Sequence, residues 1–167
     1  MRQLLADTLP PELLKEIGEL IVRWSNVEFY LVNIITKGFG IPIATGRALA
    51  FGMPISAKTK VLRHLANTDH WIHDEELRLK IKKYSQKIDK DIRNRNNFAH
   101  GIFGFDLEGP DVFYRFLLKE QPHSAPVRGE EINVGGLKNL VRDVQNLGLH
   151  GLNLMDQLER MEKKSPK

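Results

Sequence analysis

The chain has 167 residues, 41% of them hydrophobic and 28% charged, which is ordinary for a globular domain large enough to bury a core. Its 25 Lys and Arg residues exceed its 21 Asp and Glu residues, and the net charge of +4 permits a nucleic-acid partner without requiring one. The absence of cysteine excludes a disulfide framework, a thiolate metal site and a cysteine nucleophile.

No stretch of the sequence indicates targeting to a membrane or insertion into one. The first seven residues lack the apolar run of a signal peptide. No window approaches 18 uninterrupted apolar residues, the length at which a spanning helix is indicated. We therefore expect one domain over residues 1–167, a cytoplasmic location and no membrane partner.

Apolar residues recur every three or four positions along most of the chain, and this is the period of a helix with one buried face. The pattern predicts a mainly α protein, a bundle of about five helices. They are expected at residues 10–38, 44–51, 56–68, 74–100 and about 136–163. Gly148 and Gly151 lie in the middle of the last helix and have no side chains. We expect them to allow another helix, including one from a second subunit, to pack closely there.

One segment breaks the helical pattern. Two β-prone runs, Ile102–Phe105 and Val112–Leu118, flank the turn-forming residues Asp106–Asp111. This arrangement predicts a β-hairpin at about residues 102–118, inserted after the fourth helix.

The end of the fourth helix carries an unusual group of polar residues, Arg93–Gly101. The apolar stripe that leads to it steps by three or four through Leu77, Ile81, Tyr84, Ile88 and Ile92. Continued in the same way, the stripe reaches Arg95, so a guanidinium is predicted where a buried leucine would be expected. Gly101 is expected to end the helix in the left-handed conformation, which glycine adopts without steric cost.

The residue types in this segment suit an anionic ligand. Arg95 has five donors in a fixed fork that matches a phosphate, and it stays charged. His100 can accept or donate a proton near neutral pH, and Asn96 can orient either a phosphate or the imidazole. Together these groups suit an anion better than they suit a core.

The segment Arg95-Asn96-Asn97-Phe98-Ala99-His100 has the form Arg-Asn-x-x-x-His and resembles the signature of the HEPN domains. These are all-α, usually dimeric proteins, and many are metal-independent ribonucleases. The resemblance implies a HEPN-like bundle and an endoribonuclease that uses Arg95 and His100 as catalytic residues at a dimer interface. It also implies an RNA substrate, no metal, no other cofactor, and a role as a toxin or defence effector with an antitoxin partner.

Further residues are candidates for supporting this chemistry. Asn96, Arg93, Lys90 and Lys87 are assigned to substrate binding, because three of them extend the positive charge beside the motif. Glu28, beside the apolar stripe of the first helix, is the candidate for the second polar residue that HEPN domains often direct at the motif. The alternative is a carboxylate in water at the rim of the bundle.

Two other interpretations of the motif stay open at the level of sequence. Arg95, Asn96 and His100 can form a structural polar network with Glu28 or Asp91. The protein can also be a non-catalytic module that binds RNA or nucleotides, or a dimeric scaffold of the same fold. Other catalytic schemes lack their motifs, since the sequence contains no P-loop, His-Glu-x-x-His or Gly-x-Ser-x-Gly pattern.

Overall fold

A computed structural model describes residues 3–5, 9–68, 72–106, 112–116 and 129–164. Within these ranges the protein is mainly helical, with five α-helices and four short strands, as the sequence predicts for the fold class. The elements in chain order are β1 (Gln3–Leu5), α1 (Pro11–Gly38), α2 (Ile43–Phe51), α3 (Ile55–Asn67), α4 (Glu75–Ala99), β2 (Ile102–Asp106), β3 (Phe113–Phe116), β4 (Gly129–Glu131) and α5 (Val134–Lys164).

The chain divides into two compact units. The sheet unit comprises the described residues up to Val22 together with those of Arg93–Arg142. The helical unit comprises Arg23–Ile92 and the described residues from Asp143 onward. Helices α1, α4 and α5 each contribute residues to both units. That the whole chain acts as one domain stays a prediction.

The sheet unit contains the predicted hairpin, which is the centre of a larger sheet. Strands β2 and β3 pair antiparallel, with Phe103 opposite Arg115. Strand β1 adds to β2 and β4 adds to β3, so the order is β1-β2-β3-β4. The prediction of a hairpin insert therefore missed the two outer strands. The turn of the hairpin at 107–111 and its end at 117–118 lie outside the described residues. Leu13, Leu20, Leu137 and Val141 are buried in this unit at the start of α1 and of α5.

The helical unit buries the predicted apolar stripes of its helices. The fully or nearly fully buried side chains include Trp24, Val27, Leu31 and Ile34 from α1, Leu62 and Leu65 from α3, Leu77, Ile81, Tyr84 and Ile88 from α4, and Val144, Leu147, Leu154 and Leu158 from α5. Burial of one such side chain stabilises the folded state by about 1.5–3 kcal/mol. The helical period of the sequence is therefore confirmed as a set of core faces.

Gly148 and Gly151 have a role within the chain. A Cβ atom on Gly151 would lie 2.5 Å from the Tyr84 hydroxyl oxygen and 2.8 Å from Tyr30 Cβ. A Cβ on Gly148 would lie 4.0 Å from Val27 Cγ2. Gly151 thus allows a close approach of side chains from α1 and α4, whereas Gly148 makes only an ordinary van der Waals contact with α1. The expectation that these glycines receive a second subunit stays a prediction.

Among the described residues, no single helix is long and apolar enough to cross a membrane. Helices α1 and α2 together do have the length and apolar composition of a membrane span, but the chain bends by 119° between them.

Candidate functional site

The polar segment Arg93–Gly101 closes helix α4 within the sheet unit. The helix ends at Ala99, and the His100 amide still donates to the Asn96 carbonyl oxygen at 3.0 Å. The prediction of a left-handed Gly101 was wrong, because Gly40, with φ of 63°, is the one glycine with positive φ in the described chain. A Cβ on Gly101 would lie 2.5 Å from the Asn97 carbonyl oxygen and 2.9 Å from Arg115 Cγ. Glycine is required there by close packing.

Arg95 is only partly buried, although it continues the apolar stripe of α4. Its Nη1 donates to Asn96 Oδ1 at 3.0 Å. Its Nε is buried and finds no hydrogen-bond acceptor among the described residues. Asn96 and His100 are exposed. The motif therefore has two exposed polar side chains, Asn96 and His100, and a guanidinium that Asn96 orients. A buried structural network would instead enclose these groups.

The angular positions of the motif residues follow from helix geometry. At about 100° per residue, Arg95 and His100 lie about 140° apart around the axis of α4. Arg93, Asn96 and His100 fall within about 60° of one another. The contact with Asn96 turns the Arg95 guanidinium toward this shared face. Arg93, Asn96 and His100 therefore share one side of α4, and Arg95 lies further around the axis. Asn96 stands between Arg95 and His100.

Arg115 of strand β3 holds the end of the motif in place, and sequence analysis did not single it out. Its guanidinium carbon lies 4.3 Å from the centre of the Phe98 ring, a cation–π contact with the middle of the motif. Its Nη2 donates to Glu130 Oε2 at 2.6 Å, and only 13% of its side chain is exposed. The charged Arg115 within the aromatic run Phe113–Phe116 was the available signal. Its position beside Gly101 required the fold.

The three basic residues assigned to substrate binding are all exposed. Arg93 belongs to the sheet unit, and Lys87 and Lys90 belong to the part of α4 in the helical unit. Their exposure leaves the ammonium and guanidinium groups accessible to a polyanion. Their role in RNA binding stays a prediction.

Glu28 lies in the helical unit and forms an ion pair with Lys58, with Oε2 3.5 Å from Nζ. Its side chain is 32% exposed and lines a cavity between α1, α2 and α3. Glu28 is therefore a half-buried, ion-paired carboxylate, and the alternative of a carboxylate free in water does not describe it. The proposed support of the motif by Glu28 stays a prediction.

Asp91, the other acidic residue considered as a partner for the motif, is buried, with 8% of its surface exposed. Its Oδ2 has no hydrogen-bond partner among the described residues. Burial raises the pKa of the Asp91 carboxyl, Lys87 and Lys90 lower it, and Asp143 raises it. Because burial has the largest effect, the charged form is disfavoured in the folded protein.

Replacing Asp91 with asparagine is expected to stabilise the protein at pH 7 by roughly 1 kcal/mol, since a buried carboxylate is removed. The raised pKa means that the folded state holds the proton more tightly than the unfolded state. Asp91 therefore costs stability as pH rises through its folded pKa, and the variant's advantage shrinks near pH 3. Urea unfolding at both pH values measures the difference.

Asp89→Asn is the matched control on the same helix. The Asp89 carboxylate accepts from Thr59 Oγ1 at 2.6 Å and pairs with Arg63. Its replacement is expected to destabilise the protein at pH 7, opposite in sign to Asp91→Asn. A loss of stability in Asp91→Asn at pH 7 would contradict the conclusion that burial disfavours the charged form of Asp91.

The described residues contain no group of three or more His, Asp or Glu side chains placed to hold a metal ion. No protein-family model, curated protein or solved structure matches the chain. The class is therefore defined by architecture and motif: a mainly helical protein with a small antiparallel sheet and an Arg-Asn-x-x-x-His segment at a helix end.

Proposed function

We propose that the protein is a metal-independent endoribonuclease of HEPN type that cleaves RNA at the Arg95–His100 motif. The observation that carries the proposal is the state of the motif at the end of α4. His100 is exposed, and the Arg95 guanidinium is oriented by Asn96 while remaining partly accessible. Groups that bind and transfer protons need this accessibility, whereas a structural network would bury them.

The proposed reaction is a transesterification within the RNA strand, in which the phosphorus exchanges its bond to the 5′-oxygen for a bond to the 2′-oxygen. His100 takes the proton of a ribose 2′-hydroxyl, and the 2′-oxygen attacks the adjacent phosphorus. Arg95 stabilises the negative charge of the phosphorane with its forked donors. The bond to the 5′-oxygen breaks as a protonated histidine supplies that oxygen with a proton. The products are a 2′,3′-cyclic phosphate and a 5′-hydroxyl end.

One His100 cannot serve as base and acid at the same moment, so the proposal includes a homodimer with the two motifs facing each other. The second copy would bring its guanidinium or imidazole to the phosphate from the other side. A toxin or defence role and an antitoxin partner belong to the same proposal and follow from the resemblance.

The dimer is expected at micromolar concentration. Light scattering should give a mass of about twice the chain's 19.2 kDa. A monomer at all concentrations would contradict a site shared by two copies.

RNA binding is expected to be mainly electrostatic, through the exposed Arg93, Lys90 and Lys87. Affinity should fall steeply with added salt, because each neutralised phosphate releases counterions. Lys90→Ala should reduce the slope of log K against log salt by about one unit. Lys60→Ala, at an exposed lysine of α3, is the matched control and should leave the slope unchanged. Salt-insensitive binding, or none, would favour a non-catalytic scaffold.

A further inference from the structure

A cavity of about 320 Å³ lies within the helical unit, between α1, α2 and α3. Its wall includes Glu28, Phe29 and Val32 from α1, Arg47 from α2 and Lys58 from α3. The volume is at the lower end of the range for sites that hold small organic molecules. The cavity thus combines apolar surface with two cations and one carboxylate.

Lys58 is the most informative of these residues, because only 6% of its side chain is exposed. Lysine is almost never fully buried unless its ammonium is paired. In the described chain its ionic partner is Glu28, whose Oε2 lies 3.5 Å from Nζ. The ammonium has three donors, and a single carboxylate at this distance leaves donors for a ligand in the cavity. A buried cation that lines a cavity is a feature of an anion site.

Arg47 supplies a second cation that lines the cavity. Its guanidinium carbon lies 4.8 Å from the centre of the Phe29 ring, a cation–π contact. Its Nη2 donates to Asn33 Oδ1 at 3.5 Å, the long limit for such a bond. The remaining donors of Arg47 are at an exposed residue and are accessible to a ligand.

The charges of the lining give the sign of the ligand. Lys58 and Arg47 contribute two positive charges and Glu28 one negative charge, which leaves a net charge of +1. Phe29, Val32 and Ala50 provide apolar contact. We propose that this cavity binds a small organic anion, a carboxylate or phosphate monoester with an apolar or aromatic body. The anionic group contacts Lys58 and Arg47, and the body packs against Phe29 and Val32.

The test is calorimetric titration of the full chain with two charged probes and their uncharged counterparts. Benzoate is compared with benzamide, and adenosine 5′-monophosphate with adenosine. The site predicts that at least one charged probe binds ten-fold or more tightly than its neutral counterpart. Equal affinities within both pairs, or no binding of either anion at millimolar concentration, would overturn the proposal.

Variants locate the site. Lys58→Met keeps the length of the side chain without the charge and should weaken binding of the anion ten-fold or more. Lys60→Met, at an exposed position on the same helix, should leave it unchanged. Arg47→Met should weaken binding several-fold. Because Arg47 is exposed, this variant is expected to fold and provides the test if Lys58→Met does not. Undiminished affinity in both Arg47→Met and Lys58→Met would overturn the assignment. None of these residues belongs to the Arg95–His100 motif, so the result is independent of RNA cleavage.

Discussion

Replacing His100 with alanine is expected to slow RNA cleavage about a hundred-fold or more, the range for loss of a positioned acid or base. His100 is exposed one residue beyond the end of α4, so the substitution removes no core packing. Cleavage of a defined RNA under single-turnover conditions measures the rate. His64→Ala is the matched control, since His64 is also exposed but lies in α3, away from the motif in the sequence.

Arg95→Ala is expected to lower the rate to a similar extent by removing the charge that stabilises the phosphorane. Arg95→Lys should restore little activity, because an ammonium does not reproduce the forked donors or the bond to Asn96 Oδ1. Arg95 is partly buried, so thermal unfolding of each variant must show that folding is retained. Normal cleavage by His100→Ala, in a protein whose wild type is active, would remove His100 from the mechanism.

Gly151→Ala is expected to destabilise the protein by about 2 kcal/mol, within the range for overpacking a core. The added Cβ would stand 2.5 Å from the Tyr84 hydroxyl oxygen and 2.8 Å from Tyr30 Cβ. Tyr84 is fully buried and has little room to move. Alanine's better helix propensity offsets about 1 kcal/mol at most. Urea unfolding measures the change, and it should not depend on protein concentration, because the contacts lie within one chain.

Gly18→Ala in α1 is the matched control. Gly18 is exposed, and a Cβ there would have no atom within 4 Å among the described residues. The same substitution is therefore expected to stabilise the protein by about 1 kcal/mol through helix propensity alone. An unchanged or increased stability of Gly151→Ala would show that Gly151 is not held against α1 and α4.

Helices α1, α3, α4 and α5 were predictable because each one buries a regular face. The α4 stripe from Leu77 to Ile88 is buried as its spacing predicts. The last helix was expected at about 136–163 and is observed at Val134–Lys164. The two outer strands were missed because three residues are too few to show an alternating pattern.

The sequence predicted which residues form the candidate site, but it predicted their exposure and packing only in part. The spacing of Arg95 and His100 follows from the sequence, whereas their accessibility depends on where α4 leaves the core. The continued stripe predicted a buried Arg95, yet burial decreases from Ile92 onward. Gly101 was correctly placed at the helix end, but its cause is close packing against the Asn97 carbonyl oxygen and against Arg115, a residue on another element. Contacts of this kind depend on tertiary packing, which periodicity does not describe.

Analysis of the ends formed on RNA tests the ribonuclease assignment most directly. Purified wild-type protein is incubated in EDTA with an end-labelled oligoribonucleotide, and in parallel with the same strand carrying 2′-deoxyribose at every position. The proposal predicts 2′,3′-cyclic phosphate and 5′-hydroxyl ends from the RNA, none from the DNA, and at least a hundred-fold fewer with His100→Ala. No cleavage of the RNA by wild-type protein, or 5′-phosphate ends that appear only with a divalent cation, would contradict it.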